Sequence, residues 1–265
     1  MEKARDVFSD IDSTCSQDHH SPNARDESHI AMNIVSVKAG EEIELKQSKI
    51  RNGVRLYLRP FNVSHGGHPA FGYTIVSKTT TQGLKAEYKG MNGKELGELA
   101  RSGVDIKETT IIERPEVCYT GDTSADGLMR NDSNVLETSS MEYLRQGFTA
   151  PLLLSELTFL DPQDAELAQQ RGHLNVKDIG PILNSHGWKP TSDSTGNRQI
   201  LFYHVSSRHG PAGRLLDTMI KELPSDVVGV AEVAIASFLT PDTSLDVKPN
   251  GCISMKDYMN SLKAI

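Results

Sequence analysis

The sequence predicts an α/β fold. Short apolar runs that suit strands alternate with amphipathic stretches at helical spacing, turn formers separate the two, and no internal repeat interrupts the order. Val54 to Arg59 alternates apolar and charged residues, the pattern of a half-buried strand. Phe71 to Val76 reads as a second strand. Asn92 to Ser102 carries Leu96 and Leu99 at helical spacing and ends near Gly103, a plausible C-cap. Glu116 to Thr120 is a short apolar strand that runs into Gly121-Asp122-Thr123.

The second half repeats the alternation. Leu152 to Ser155 predicts a buried strand, followed by a helix from Asp164 to Arg171 that Gly172 ends. Asn175 is placed to cap a helix with Ile179, Ile182 and Leu183 on one side, which Pro181 is expected to kink or shorten. Lys189 to Asn197 reads as a polar loop, Gln199 to Tyr203 as a strand, and Gly213 to Glu222 as an amphipathic helix. Residues 1–30 are poor in apolar side chains and rich in Asp, Ser and His, so a disordered acidic segment is expected there. The folded domain is expected over 31–240, with a tail carrying a short helix over 241–265.

Composition narrows the function classes. The net charge is −7, the wrong sign for holding nucleic acid by bulk charge, so RNA binding would need a local basic patch. Cys15, Cys118 and Cys252 are far apart and form no CxxC pair, which points to a reducing compartment. No apolar run of about 20 residues is present, so no membrane span is expected. The N-terminus has the character of neither a secretory signal nor an Arg-rich transit peptide. An intracellular location follows, cytoplasm or nucleus, with an organelle left open.

Three strand-end positions carry chemistry: His65, Asp122 and His204. Imidazole and carboxylate suit zinc, and a carboxylate can bridge two metals. Read singly, each is more often a structural or exposed residue than a ligand. Glu156 and His173 form a second candidate pair, because a carboxylate that orients a histidine tunes a proton donor.

Taken in order, these segments resemble the tRNase Z enzymes of the metallo-β-lactamase superfamily, and the wording is nearest the short plant-type members. Pro60-Phe61-Asn62-Val63-Ser64-His65 with Pro69-Ala70-Phe71-Gly72-Tyr73 is similar to the family's His before a Gly-Tyr strand. Tyr119-Thr120-Gly121-Asp122-Thr123 resembles its Gly-Asp-Thr motif. Ser155-Glu156-Leu157-Thr158 with Gly172-His173 resembles its Glu–His element, and His204-Val205-Ser206-Ser207-Arg208 resembles its terminal His-x-Ser-x-Arg motif. The match covers about residues 54–210, and five ordered motifs are far more specific than one.

The resemblance implies an αββα sandwich, here incomplete, and a zinc-dependent endonuclease, a hydrolase that removes the 3′ trailer of precursor tRNA. It gives His65 and His204 to one zinc each, Asp122 to both, and proton transfer to Glu156 and His173. Leu84 to Ile106 lies where some members carry a tRNA-gripping arm, so Lys85, Lys89, Lys94 and Arg101 become candidate RNA contacts, with a solvated helix face as the alternative.

The departures matter as much. His209 replaces the family's final Tyr. His68 competes with His65, although the Phe-x-x-x-His spacing favours His65. The family's His-x-His-x-Asp-His motif is absent, and Asp18, His19 and His20 read as a chance cluster. A catalytically silent remnant that binds RNA or a partner protein is therefore the alternative function. An incomplete sandwich is expected to self-associate or to need a complementing chain.

Overall fold

The computed structural model describes residues 35–45, 53–129, 138–192, 196–234, 248 and 251–263. The chain divides into Met1–Ser36 and Val37–Ile265, and the features below belong to the second unit. The expected acidic segment, the Asp18-His19-His20 cluster and Cys15 lie outside the described residues.

The α/β class read from the sequence is borne out by one eight-stranded sheet with flanking helices. The strands run β1 (Ile43–Leu45), β2 (Val54–His65), β3 (His68–Leu84), β4 (Lys107–Tyr119), β5 (Leu152–Glu156), β6 (Thr191–Ser192), β7 (Gly196–Asn197), β8 (Gln199–Tyr203), β9 (Ala231–Ala234) and β10 (Cys252–Ser254). The sheet order is β1-β2-β3-β4-β5-β8-β9-β10, and β6 and β7 pair separately. The pairs β1–β2, β2–β3, β3–β4 and β9–β10 are antiparallel, whereas β4–β5, β5–β8 and β8–β9 are parallel. Two antiparallel steps separate β2 from β4, so β2, β4, β5 and β8 all end on the same edge. That shared carboxyl edge, where α/β sheets bind ligands, carries His65, Asp122, Glu156 and His204.

The helices are α1 (Gly93–Arg101), α2 (Ala125–Met129), α3 (Thr138–Gly147), α4 (Ala165–Arg171), α5 (Val176–Ser185), α6 (Ala212–Glu222), α7 (Ser225–Val228) and α8 (Met255–Lys263). Asn92 and Asn175 each accept backbone N–H bonds in full capping boxes, so α5 begins at the cap read from the sequence and α1 where its helical stretch was read to start. Pro181 does not stop α5, whose Ile179, Ile182 and Leu183 are buried. The apolar face outweighs the one lost backbone bond. Phe61, Leu153, Phe202, Leu215 and Leu216 are almost wholly buried in a single core, each side chain worth about 1.5–3 kcal/mol of transfer free energy. The stretch 241–265 contributes β10 and α8, with Ile253, Met255 and Tyr258 in the same core.

Two prolines explain why β2 and β4 are longer than the sequence suggested. Pro60 sits inside β2, but its carbonyl accepts from Gly40 on the β1 side, so its missing N–H faces that side and costs the β2–β3 ladder nothing. Pro115 sits at a bulge, where the register shifts between Ile75 and Val76 and Glu116 is left unpaired. Beyond the bulge, β3 and β4 continue as a ribbon whose β4 residues Lys107 to Arg114 are all exposed and whose far end carries α1.

A charged cluster ties the sheet's first half together. Arg59, only 8% exposed at its side chain, bonds Glu42 through Nε (2.6 Å), Gln146 of α3 (2.5 Å) and Glu113 of β4 (2.7 Å). Lys78 of β3 reaches the same two carboxylates at 2.6 and 2.8 Å. Burial alone would raise the Glu113 pKa, but hydrogen bonds from Lys78 and Arg59 outweigh it and hold it below its ordinary value. Such a group adds stability above the unfolded carboxylate pKa of about 4.3, and loses it as pH falls through the depressed folded value. Glu113→Gln is thus expected to lower Tm at neutral pH by roughly 2–4 °C. The gap to the parent chain should narrow as the pH drops below about 4. Thermal melts of both proteins across pH check this, and a gap that widens in acid refutes it.

A second constraint sits at the C-cap of α4. Gly172 has φ +77°, and a Cβ there would lie 1.7 Å from Gly66 N and 2.4 Å from His65 C. The β2–β3 turn therefore packs directly on this glycine. Gly67 has nearly the same left-handed backbone (φ +79°) and nothing within 4 Å of a Cβ. Gly67→Ala should cost only the left-handed strain of about 1–2 kcal/mol. Gly172→Ala should cost that strain plus displacement of the turn, and so clearly more. Denaturant unfolding of both variants measures the difference, and equal losses would mean that the turn yields freely.

Candidate metal centre

His65, Asp122, Glu156 and His204 are delivered by strand ends, and His173 by the segment after α4. His65 closes β2. Its Nδ1 lies 3.0 Å from the Gly172 carbonyl, which can only accept, so Nδ1 carries the proton and Nε2 keeps its lone pair. Asp122 follows β4 on a loop turned by Gly121 (φ +67°), where a Cβ would meet the Phe71 carbonyl at 2.5 Å. The loop is then tied to β2: Ser124 N donates to Ser64 O at 2.7 Å, and the Thr123 hydroxyl donates to the same carbonyl at 3.2 Å.

Glu156 ends β5 and is fully buried. Its Oε1 accepts from Thr123 N (3.2 Å), Leu174 N (3.0 Å) and His173 Nδ1 (3.2 Å). Its Oε2 accepts from Thr158 N (3.0 Å) and the Thr158 hydroxyl (2.8 Å). The hydrogen bond that His173 donates to Glu156 raises the His173 pKa above its ordinary value, against partial burial that pulls the other way. His204 follows β8 and has φ +60°, the one left-handed non-glycine among the described residues, a strained state that surrounding bonds must hold.

The structure brings all five residues together. His204 Nε2 and Asp122 Oδ2 are 3.8 Å apart, too far for a hydrogen bond and with both side chains more than a third exposed. The His65 and His173 rings are 4.7 Å apart, and the His173 and His204 rings 5.1 Å. One ligand atom each from Asp122, His173 and His204 lies within 4.8 Å of the others, a group able to hold a metal ion. This set differs from the sequence reading in one member: His173, assigned there to proton transfer, stands in the cluster where His65 was expected. His68 lies across the turn from His65 and is exposed.

The donor chemistry fits a metal. His65 presents the Nε2 lone pair because its Nδ1 is bonded to a carbonyl, and His204 Nε2 faces the Asp122 carboxylate. Cys118 does not compete as a ligand, since burial pushes its thiol up to about 12.

Lys85, Lys89, Lys94 and Arg101 sit apart from this centre, on the ribbon and α1. Lys85 pairs with Asp105 at 3.3 Å, and Arg101 Nε bonds the Gly97 carbonyl at 3.0 Å. Acidic Glu87, Glu95 and Glu98 share the same segment, so the patch is mixed in sign. Sequence reasoning missed Thr158 and Gly172 as parts of the site. Thr158 stood two residues after Glu156 inside the matched motif, whereas nothing in the sequence signals that Gly172 meets the His65 turn.

No protein-family profile matches the chain. It is 29% identical over 205 residues to tRNase Z TRZ1 of Arabidopsis thaliana, covering 77% of this chain and 61% of that protein. It is also 29% identical over 177 residues to the chloroplastic tRNase Z TRZ2 of the same plant, covering 66% and 41%. The chain thus spans about three fifths and two fifths of these relatives. The solved short form of human tRNase Z aligns with 61% of this chain and 39% of its own, at 18% identity and a TM-score of 0.31. The motif resemblance is therefore matched along most of the chain by sequence similarity to tRNase Z proteins.

Proposed function

We propose that this chain is part of a zinc-dependent endoribonuclease of the tRNase Z type, which hydrolyses a phosphodiester bond at the 3′ side of precursor tRNA. The observation that carries the reading is the convergence of His65, Asp122 and His204 beside buried Glu156 and partly buried His173 on one sheet edge. In this reading His65, Asp122 and His204 hold zinc, with Asp122 shared, and the metal supplies Lewis-acid polarisation of the phosphodiester. Glu156 holds His173 by Nδ1 and favours its charged form, which leaves an Nε2 proton for the departing oxygen.

The ribbon with α1 is proposed to touch RNA through Lys85, Lys89, Lys94 and Arg101. The net charge of −7 makes such contacts local rather than global. No helix among the described residues is long and apolar enough to cross a membrane. An intracellular compartment is proposed, cytoplasm, nucleus or organelle.

Ligand counting sets the expected activity. A catalytic zinc usually has about three protein ligands plus water. His65 with a shared Asp122, and His204 with the same Asp122, fall short of that for each of two metals. A complementing chain or a second copy is proposed to supply the remaining ligands. The purified chain is therefore expected to retain substoichiometric zinc and to leave precursor tRNA uncut. Adding a His-x-His-x-Asp-His segment, fused or separate, should raise both. His65→Ala and His204→Ala should lower zinc content, while His173→Ala should keep the zinc and abolish the restored cleavage. Elemental analysis beside a precursor-tRNA cleavage assay reads every arm. Two zinc ions per chain with robust cleavage from the chain alone would overturn the ligand count, and zinc loss in His173→Ala would move His173 to the metal.

A further inference from the structure

We propose that Thr158 is a positioning residue: its hydroxyl fixes the ring tautomer of His204 by joining it to the buried Glu156 carboxylate. The inference rests on the reading of His204 as a metal-holding residue for its consequence, but not for its geometry.

Thr158 is buried, at 8% exposure. Its Oγ1 lies 2.8 Å from Glu156 Oε2 and 2.9 Å from His204 Nδ1. A hydroxyl has one proton to give and lone pairs to accept with. Besides the carboxylate, His204 Nδ1, the His204 carbonyl at 3.1 Å and His173 Nδ1 at 3.3 Å stand near that proton, and His173 Nδ1 already donates to Glu156 Oε1. The carboxylate wins as the shorter and ionised acceptor, since charge-assisted bonds are about twice as strong as neutral ones. The Thr158 oxygen is then an acceptor toward His204, so Nδ1 must bring the proton. The lone pair falls on Nε2, the nitrogen that faces Asp122 at 3.8 Å. His65 reaches the same tautomer through the Gly172 carbonyl, so both rings present Nε2 by different means.

The surrounding loop supports the clamp. The Thr158 carbonyl accepts from Ser206 N at 3.2 Å and lies 3.0 Å from His209 Nε2. The segment after β8 therefore wraps around Thr158 by backbone as well as side chain. Bonds of this number are what a left-handed His204 needs, because its φ of +60° is otherwise unfavourable.

Valine keeps the shape of threonine and deletes the hydroxyl, while serine keeps the hydroxyl. Long-range proton–nitrogen NMR of metal-free, 15N-histidine-labelled chain at a pH of about 8.5, above the ordinary histidine pKa of about 6.5, reads each ring's tautomer. His204→Gln identifies the His204 signals. The parent chain and Thr158→Ser are expected to carry the His204 proton on Nδ1, and Thr158→Val to move it wholly or partly to Nε2. Zinc affinity from competition with a chromophoric chelator should fall by about 10–100-fold in Thr158→Val and recover in Thr158→Ser. A parent spectrum with the proton on Nε2 overturns the proposal without any variant, so the test survives a valine chain that does not fold. A valine chain that folds with its His204 tautomer unchanged also overturns it. A tautomer shift in a chain that binds no zinc would uphold the positioning role and refute the metal reading instead.

Discussion

The site depends on one buried carboxylate. Glu156 lies at the end of a central parallel strand with no exposure, a position where an uncompensated charge costs several kcal/mol even after relaxation. It is compensated by five hydrogen bonds, from Thr123 N, Leu174 N, His173 and both donors of Thr158. Those donors belong to three separate loops. Each loop gains from approaching the carboxylate, and each carries or adjoins a site residue: Asp122 beside Thr123, His173 beside Leu174, and Thr158 against His204. The buried charge thus sets where the other groups of the site stand.

Sheet direction does the coarser placement. β2, β4, β5 and β8 run the same way, so residues that follow them in sequence gather at one edge whatever their separation along the chain. His65 and Gly172 are 107 positions apart and yet in contact, because the C-cap of α4 packs on the β2–β3 turn. A side chain larger than hydrogen at 172 has no room there. The loop that carries His173 and the turn that carries His65 are therefore positioned against each other by backbone contact, a stiffer arrangement than side-chain packing would give.

This division explains what was legible in the sequence. The α/β class, the cap at Asn175, the helical stretch from Asn92, and the strand-end histidines were readable because each depends on local pattern. Strand lengths were less so. The strand read over Val54 to Arg59 continues through Pro60, whose missing donor is turned away from β3, and Pro115 sits at a bulge. The helices α2 and α3 and the outer strands β9 and β10 are short and depend on tertiary packing more than on periodicity. In the site, residue types were legible and relations were not. The sequence separates a proton-transfer pair from a ligand set, whereas in space His173 stands as close to Asp122 and His204 as a ligand would.

The gradient of burial across the site connects these points to function. Glu156 is sealed, His173 is 15% exposed at its side chain, and Asp122 and His204 are 38% and 47% exposed. The floor is buried, while the mouth formed by Asp122 and His204 is open. Hydrogen bonds on the Nδ1 side of His65, His173 and His204 set the rings before any ligand arrives, so little ordering remains to be paid for on binding. What such a floor cannot do is add donors. Preorganisation improves only the ligands that are present. The open side of the cluster is where further ligands would approach. It is the exposed faces of Asp122 and His204, rather than the buried Glu156 hub, that such ligands would have to meet.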